Sequence, residues 1–393
     1  MRTRLLARAF VLPSLLLAAC GGDESGGGTG ARADAGADAG DSGDGGPAVG
    51  PRRLVTADWM NRSLSVLDYD AVVGGAATRD EALVRTIPID AAGAGPIEVA
   101  MAPGAGQVLV AVGPGFFDGV VGGLLGVSGL TAEGTALLVD LESGEVLKDF
   151  ETPAAPMGAA VTADGALGFT SDHKGSTLSV HDLSGRRRVT SIEVGGKPEE
   201  VSVSPDGKAG VVNTDSDESL CFFETADPAG TLTPPLHVGG DPGRSTFVPI
   251  AKKVVTGKSL NLSGTDQPGY AVLDVSDLAA PRVLEHVLMD DGVPYAADLI
   301  PGTTRVLLTL GVSQCALREV DVGGDAAVEV RTIVLPCEKP GLPLSAVVDA
   351  EGKYAFVGIV GDNALFVVDL GTGESRRIPW LPSAGPTDVE LTR

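Results

Sequence analysis

Seven positions in this chain share one place in a recurring pattern, each two residues after a proline: Glu98, Gly158, Glu200, Arg244, Ala296, Ser345 and Asp388. Three are carboxylates and one is a guanidinium. If the fold brings them together, Glu98, Glu200, Arg244 and Asp388 make a charged ring able to hold a divalent cation or a small polar ligand. The plainer reading of the same set is a solvated rim, and the residues alone leave both open. No other constellation points to chemistry. His173, His181, His237 and His286 are scattered, without the paired spacing of a metal site. No Cys-x-x-Cys-His haem site, phosphate loop or nucleophile elbow is present. His181 interrupts an apolar strand pattern and reads as a satisfied structural group. The sequence assigns no catalytic residue and no metal ligand, and no cofactor unless a divalent cation occupies that ring.

What would position such a ring is the repeat itself. The prolines are Pro96, Pro156, Pro198, Pro242, Pro294, Pro343 and Pro386, with successive gaps of 60, 42, 44, 52, 49 and 43 residues. A recurrence of roughly 40–50 residues with several strands per unit is the signature of a β-propeller. One unit predicts strands over 157–163, 166–170, 177–183 and 189–194, turning at Asp164-Gly165, at 172–176 and at Ser184-Gly185. Asp-Gly between alternating apolar runs is a strong hairpin signal. The next unit predicts strands at 201–204, 210–213, 220–224 and 231–238, and a late one at 346–349, 354–360, 365–370 and 375–378. Ahead of the first proline, 54–57, 64–67 and 83–89 give three more strands, and 387–393 supplies one at the end. Joined, these complete a blade. The predicted fold is all-β, a seven-bladed propeller in which the C-terminal strand completes the N-terminal blade and leaves no open seam. The ring then lies where the inner strands begin, at one mouth of the central channel.

Two stretches carry a family likeness. Val194-Gly195-Gly196-Lys197-Pro198-Glu199-Glu200-Val201-Ser202-Val203-Ser204-Pro205-Asp206-Gly207-Lys208 and Ser176-Thr177-Leu178-Ser179-Val180-His181-Asp182-Leu183 resemble the YVTN-type repeat of extracytoplasmic bacterial propellers. The resemblance spans residues 53–393 and is tight in 133–215 and 343–375. Units near 242–290 lack the Pro-Asp-Gly turn, and no strand carries the Tyr-Val-Thr-Asn letters. The Trp-Asp endings and buried His networks of WD repeats are absent from the pattern. Seven-bladed relatives include lactonases and haem-dependent oxidoreductases, but their metal or haem ligands find no match here residue by residue. Such a motif specifies a fold and says little about activity.

Composition bounds the rest. Apolar residues make up 43% of 393, aromatics only 4%, and glycine reaches 55, so the core is built from Val, Leu and Ala with frequent turns. The net charge is −23, and loss of Arg2, Arg4 and Arg8 with a leader would make it more acidic still. Such a surface disfavours nucleic acid and anionic headgroups. It suits cationic partners, although solvation alone accounts for it.

Residues 1–19 read as an export signal, positively charged at the start and then apolar over a run too short to span a bilayer. The run ends Leu17-Ala18-Ala19-Cys20, which resembles the bacterial lipobox and implies cleavage before Cys20 and acylation there. Each buried acyl methylene contributes about 0.8 kcal/mol, so several chains anchor stably. Gly21 in place of Asp implies, by the enteric rule, sorting to the outer membrane. Residues 20–50 are nearly all Gly, Ala, Asp and Ser. They lack the apolar content to offset ordering, and thirty such residues reach roughly 30 Å. Asp38, Asp41 and Asp44 are spaced by three, unlike a calcium loop. The propeller is assigned to 51–393.

Cys315 opens one predicted strand and Cys337 follows another. A hairpin turning at 323–326 places them almost opposite each other, and export favours their disulfide. Cys221, in Leu220-Cys221-Phe222-Phe223, reads as a small buried apolar residue. Residues 113–131 form a long apolar, glycine-rich insertion, either a lip that meets a partner or membrane or a segment folded back as local core. The expected function is a lipid-anchored, monomeric scaffold of the bacterial cell envelope, in the periplasm or at the cell surface, binding a protein or glycan partner. The competing class is a propeller enzyme, a lactonase-like hydrolase or an oxidoreductase, with its ligand at the channel mouth.

Overall fold

The computed structural model describes residues 51–89, 94–104, 106–113, 133–259, 267–312, 314–339, 341–381 and 385–392. The leader, the tether and all of the insertion beyond Gly113 lie outside the described residues. Strands dominate. The first sheet holds β1 (Arg53–Asp58), β2 (Ser63–Asp68) and β3 (Leu83–Pro88), with β28 (Asp388–Leu391) paired antiparallel to β1. Four more sheets run in simple meanders. They are β4 (Gly95–Ala102) to β7 (Val146–Asp149), β8 (Pro156–Val161) to β11 (Arg187–Glu193), β12 (Pro198–Val203) to β15 (Leu236–His237), and β24 (Leu342–Val348) to β27 (Ser375–Pro379). The sixth sheet has eight strands, β16 (Asp241–Val248) to β19 (Arg282–Leu288) and β20 (Val293–Leu299) to β23 (Val328–Val334). Its halves meet at one parallel bridge, Arg244 to Ala296. The described residues thus form an all-β, propeller-like array of five four-stranded sheets and one eight-stranded sheet.

The first strands of neighbouring sheets pack on one another, β4 on β8, β8 on β12, β12 on β16, β16 on β20 and β20 on β24. Each middle strand lies between two other sheets and so is buried on both faces. In β5 (Gln107–Gly113) only Gln107 escapes burial, and β25 (Tyr354–Val360) is buried beyond Tyr354. Continuous runs of Val, Leu, Ile and Ala satisfy that requirement. The outermost strands are the reverse. In β11 only Ile192 is buried. Five of these outer strands, β3, β7, β11, β19 and β23, carry a bulge against their inner neighbour. A bulge twists an exposed edge away from pairing with other chains.

Third strands end on aspartate in six sheet units, at Asp68, Asp140, Asp182, Asp274, Asp321 and Asp369. Their carboxylates accept from the backbone N–H of Ala71, Ser143, Gly185, Ser276, Gly323 and Gly371 in the turn that follows. This is the Asx turn, which supplies a backbone partner where the ladder stops. Hydrogen bonds from the turn hold all six carboxyls below the ordinary range.

One strand expectation fails. Residues 231–238 were expected to form a full fourth strand, but a four-residue helix occupies Pro228–Thr231 and β15 is only Leu236–His237. Asp227 caps the helix by accepting from Gly230 N, Pro228 sits in its first turn, and Pro234-Pro235 has no N–H to offer a ladder. The disulfide is present. Cys315 and Cys337 are bonded with Cα atoms 6.3 Å apart, and Leu335 N donates to Cys315 O. Cys221 is free and buried. Because the bond closes a 22-residue separation, replacing both Cys315 and Cys337 by alanine should cost about 3 kcal/mol in urea unfolding. Unchanged stability would mean the bridge does not constrain the chain.

Candidate functional site

Six inner strands depart from regular pairing just after their proline, while β28 pairs regularly with β1. The register slips between Pro96 and Glu98, Pro156 and Ala159, Pro198 and Val201, Pro242 and Ser245, Pro294 and Ala297, and Pro343 and Ser345. Proline fixes φ and offers no N–H, so the ladder is already broken there. The bulge then re-aims the side chain two residues on. Three of these side chains bond the next sheet. Ser345 Oγ accepts from Val389 N at 3.0 Å, Asp388 Oδ2 from Val99 N at 2.8 Å, and Glu98 Oε2 from Ala159 N at 3.0 Å. In every case the acceptor is two residues past one proline, and the donor is three past the next. At Gly158 the neighbouring backbone comes too close for a side chain. An added Cβ would lie 2.7 Å from Glu199 O, and Ser171 Oγ accepts from Gly158 N while donating to Glu199 O.

Arg244 draws the charged members together. Its Nη2 donates to Glu98 Oε1 and, at 2.9 Å, to Asp388 Oδ1. Its Nε is 3.7 Å from Glu200 Oε2, and its Nη1 is 3.9 Å from Glu390 Oε1. Strand β16 is flanked by β12 and β20. The guanidinium therefore crosses the interior to reach β4 and β28. Side-chain exposure is 13% for Arg244, 5% for Glu98 and 2% for Asp388. These residues are an interior ion cluster and not a solvated rim. Burial, with Glu200 and Asp388 adding repulsion, pushes Glu98 well above the usual carboxylate range despite Arg244 beside it. Burial works against the charge of Arg244, yet Asp388, Glu98, Glu200 and Glu390 together hold it well above its ordinary value.

A second acidic group adjoins the first. Glu199, beside Glu200 in the bulge of β12, lies near Asp241, Asp215 and Lys197. Its Oε1 is 3.7 Å from His173 Nδ1. Burial foremost, then the Asp215 charge, lifts Asp241 to about 7, although Ser259 Oγ donates to it at 2.9 Å. The sequence pattern placed Glu98, Glu200, Arg244 and Asp388 together, and they do meet. Glu390, Glu199, Asp215 and Asp241 were missed. Glu390 was within reach of sequence reasoning, since alternation in β28 sets it on the face of Asp388. Glu199 was not, because only the bulge lets two consecutive residues approach one cluster. Among the described residues there is no group of three or more His, Cys, Asp or Glu side chains that could hold a metal ion.

A buried histidine network, expected to be absent, is present. His181 Nε2 lies 3.0 Å from Thr170 Oγ1, which donates to Asp172 Oδ1, while Ser179 Oγ donates to Asp172 Oδ2 at 2.6 Å. His181 is fully buried against Phe150, and burial drives its value down to about 3, so it stays neutral. Its Nδ1 has no partner, so the group is only half satisfied. A like arrangement joins Asp58 to Thr56, Ser65 and Trp380. Neither network follows a Trp-Asp spelling, and that is why the letters hid them.

No family model and no curated protein matches the chain. Solved structures do. Kuenenia stuttgartiensis hydrazine synthase is similar over 76% of this chain and 95% of its own, at 16% identity and a TM-score of 0.57. A functionally unknown protein from Desulfotomaculum acetoxidans is similar over 87% of this chain and 99% of its own, at 12% identity and a TM-score of 0.65. The fold is a β-propeller. At such identities the likeness is one of fold alone.

Removing Arg244 from the cluster should be severe. Arg244→Met leaves Glu98 and Asp388 buried without it and should cost about 3–5 kcal/mol by chemical denaturation. Arg244→Lys should recover little, because an ammonium cannot fork between two strands. Wild-type stability in both variants would remove the cluster from any structural role.

Proposed function

We propose that this chain is a lipid-anchored, extracytoplasmic propeller of the YVTN-repeat kind, acting as a non-catalytic scaffold that binds a protein or glycan in a bacterial cell envelope. The observation that carries the non-catalytic reading is the engagement of the ring itself. Glu98 and Asp388 each spend one oxygen on a neighbouring backbone N–H and the other on Arg244. Side chains whose two oxygens are both spent on ties between sheets are poorly placed to receive a substrate. The charges that looked most like a site thus serve the frame, and recognition falls to the exposed loops.

The finer architecture belongs to the same proposal. Dividing the eight-stranded sheet at its single bridge gives seven four-stranded blades. The pairing of β28 with β1 and its packing on β4 and β24 support a ring completed by the last strand. Anchoring rests on Leu17-Ala18-Ala19-Cys20, and the Cys315–Cys337 bond suits an oxidising compartment. Outer-membrane placement and a monomeric state complete the reading. Two measurements check it. Cys20→Ser should move the protein from the detergent phase to the aqueous phase in cloud-point partitioning and abolish palmitate labelling. The purified domain should hydrolyse a panel of lactones no faster than buffer does. Turnover that Glu200→Gln abolishes would replace the scaffold with an enzyme.

A further inference from the structure

Among the described residues, carboxyl groups outnumber cations where the inner strands begin. Arg244 stands among Glu98, Glu200, Asp388 and Glu390, and Lys197 among Glu199 and Asp215. Two of the carboxyl oxygens, Glu200 Oε2 and Asp241 Oδ1, are buried with no donor facing them. The nearest cation to the first is Arg244 Nε at 3.7 Å, beyond hydrogen-bond reach. Each of these residues instead faces another carboxyl, Glu200 of β12 that of Glu98 in β4, and Asp241 of β16 that of Asp215 in the turn after β13 (Ala209–Thr214). Two carboxyl groups bond each other only when one of them carries a proton.

We propose that each of these two carboxyl pairs shares a proton and acts as a pH-operated clasp, which binds the starting ends of β4, β12 and β16 to their neighbours while protonated and releases them as the protons leave. The surroundings of each member set the direction. Glu98 faces Arg244, Glu200 and Asp388, and Glu200 faces Arg244, Glu98 and Asp388. Asp241 faces Asp215, Glu200 and the Ser259 hydroxyl of β17 (Lys253–Ser259), with Tyr295 of β20 and Glu199 close by. Asp215 faces Lys197, Asp241 and Glu218. Glu199 adds Asp215, Asp241, Glu200, Lys197 and His173. Losing the shared protons leaves like charges in contact, with Arg244, Lys197 and His173 too few to balance them.

The sign follows from the raised values. An acid held protonated by the fold stabilises it fully below the ordinary carboxylate range near pH 4, and that stability is lost as pH rises through the folded value, about 7 at Asp241. The turn-capping aspartates act oppositely. Their values are lowered, so their contribution is present above about pH 4 and is lost in acid. Stability should therefore peak on the acidic side of neutrality. The inference stands on the propeller alone and does not depend on the proposed anchoring.

Hydrogen exchange of the whole purified protein, corrected for intrinsic rates and read peptide by peptide, tests it at about pH 6 and about pH 8. Protection at 198–203 and 241–248 should fall by about tenfold at the higher pH, while 354–360 and 364–369 keep theirs. Asp58 and Asp172, lifted to about 6, titrate in the same window, but their ionisation would loosen 53–58 and 167–172 instead. In the double variant Glu200→Gln, Asp241→Asn the loss should shrink to below about twofold. Equal protection at both pH values, or an undiminished loss in the variant, overturns the clasp. If the variant does not fold, the wild-type exchange map alone decides: protection must be lost at 198–203 and 241–248 at the higher pH, and unchanged protection there, even with loss at 53–58 and 167–172, contradicts the proposal.

Discussion

A single guanidinium holds the interior of this propeller. Arg244 reaches from β16 to β4 and β28, strands that begin in other sheets, and it is 13% exposed where it meets them. Inter-sheet packing is largely aliphatic, with a few aromatic rings such as Phe169 against Phe223, and burial of that kind is strong but not directional. The ion cluster supplies direction. Glu98 can accept from Ala159 N and from Arg244 at once only when β4 and β8 are in register and β16 stands opposite. The same is true of Asp388 with Val99 N. Burying these charges is costly, and a well-packed apolar plug of similar size could be as stable. What the cluster adds is one arrangement of sheets in preference to shifted ones.

That choice leaves a mismatch, since one guanidinium cannot neutralise four carboxylates. Protons offset part of it, which is why the buried acids at the inner strands sit above their ordinary range while the turn aspartates sit below theirs. The two groups of acids therefore respond to acid in opposite senses. Neither response involves the outer strands, where exposed residues and bulges keep the sheet edges from pairing.

Much of this was legible in the residues. Proline spacing, Asp-Gly turns and apolar runs mark the strands of the repeat, and the third strands advertise their aspartate caps in runs such as Val139-Asp140 and Val368-Asp369. The charged ring was legible too, because one side chain per unit recurs at one offset. Its chemistry was not. Alternation predicts faces, but the bulge after Pro198 breaks alternation where it matters, so Glu199 could not be placed beside Glu200. Burial was equally invisible, and a carboxylate at the head of a strand looks the same in sequence whether it is solvated or tied to the next sheet. Residues 231–238 failed for a local reason, since Pro234-Pro235 cannot pair and the residues before it cap a helix instead.

The central claim is that Arg244 and its carboxylates work as a structural tie between strands far apart in sequence. A double-mutant cycle between Arg244→Met and Asp388→Asn, read by chemical denaturation of the purified domain, measures that tie directly. The account predicts a coupling of about 2 kcal/mol or more, because each single change already breaks the shared bond. Effects that add to within about 0.5 kcal/mol would show the two residues to be independent and would contradict it.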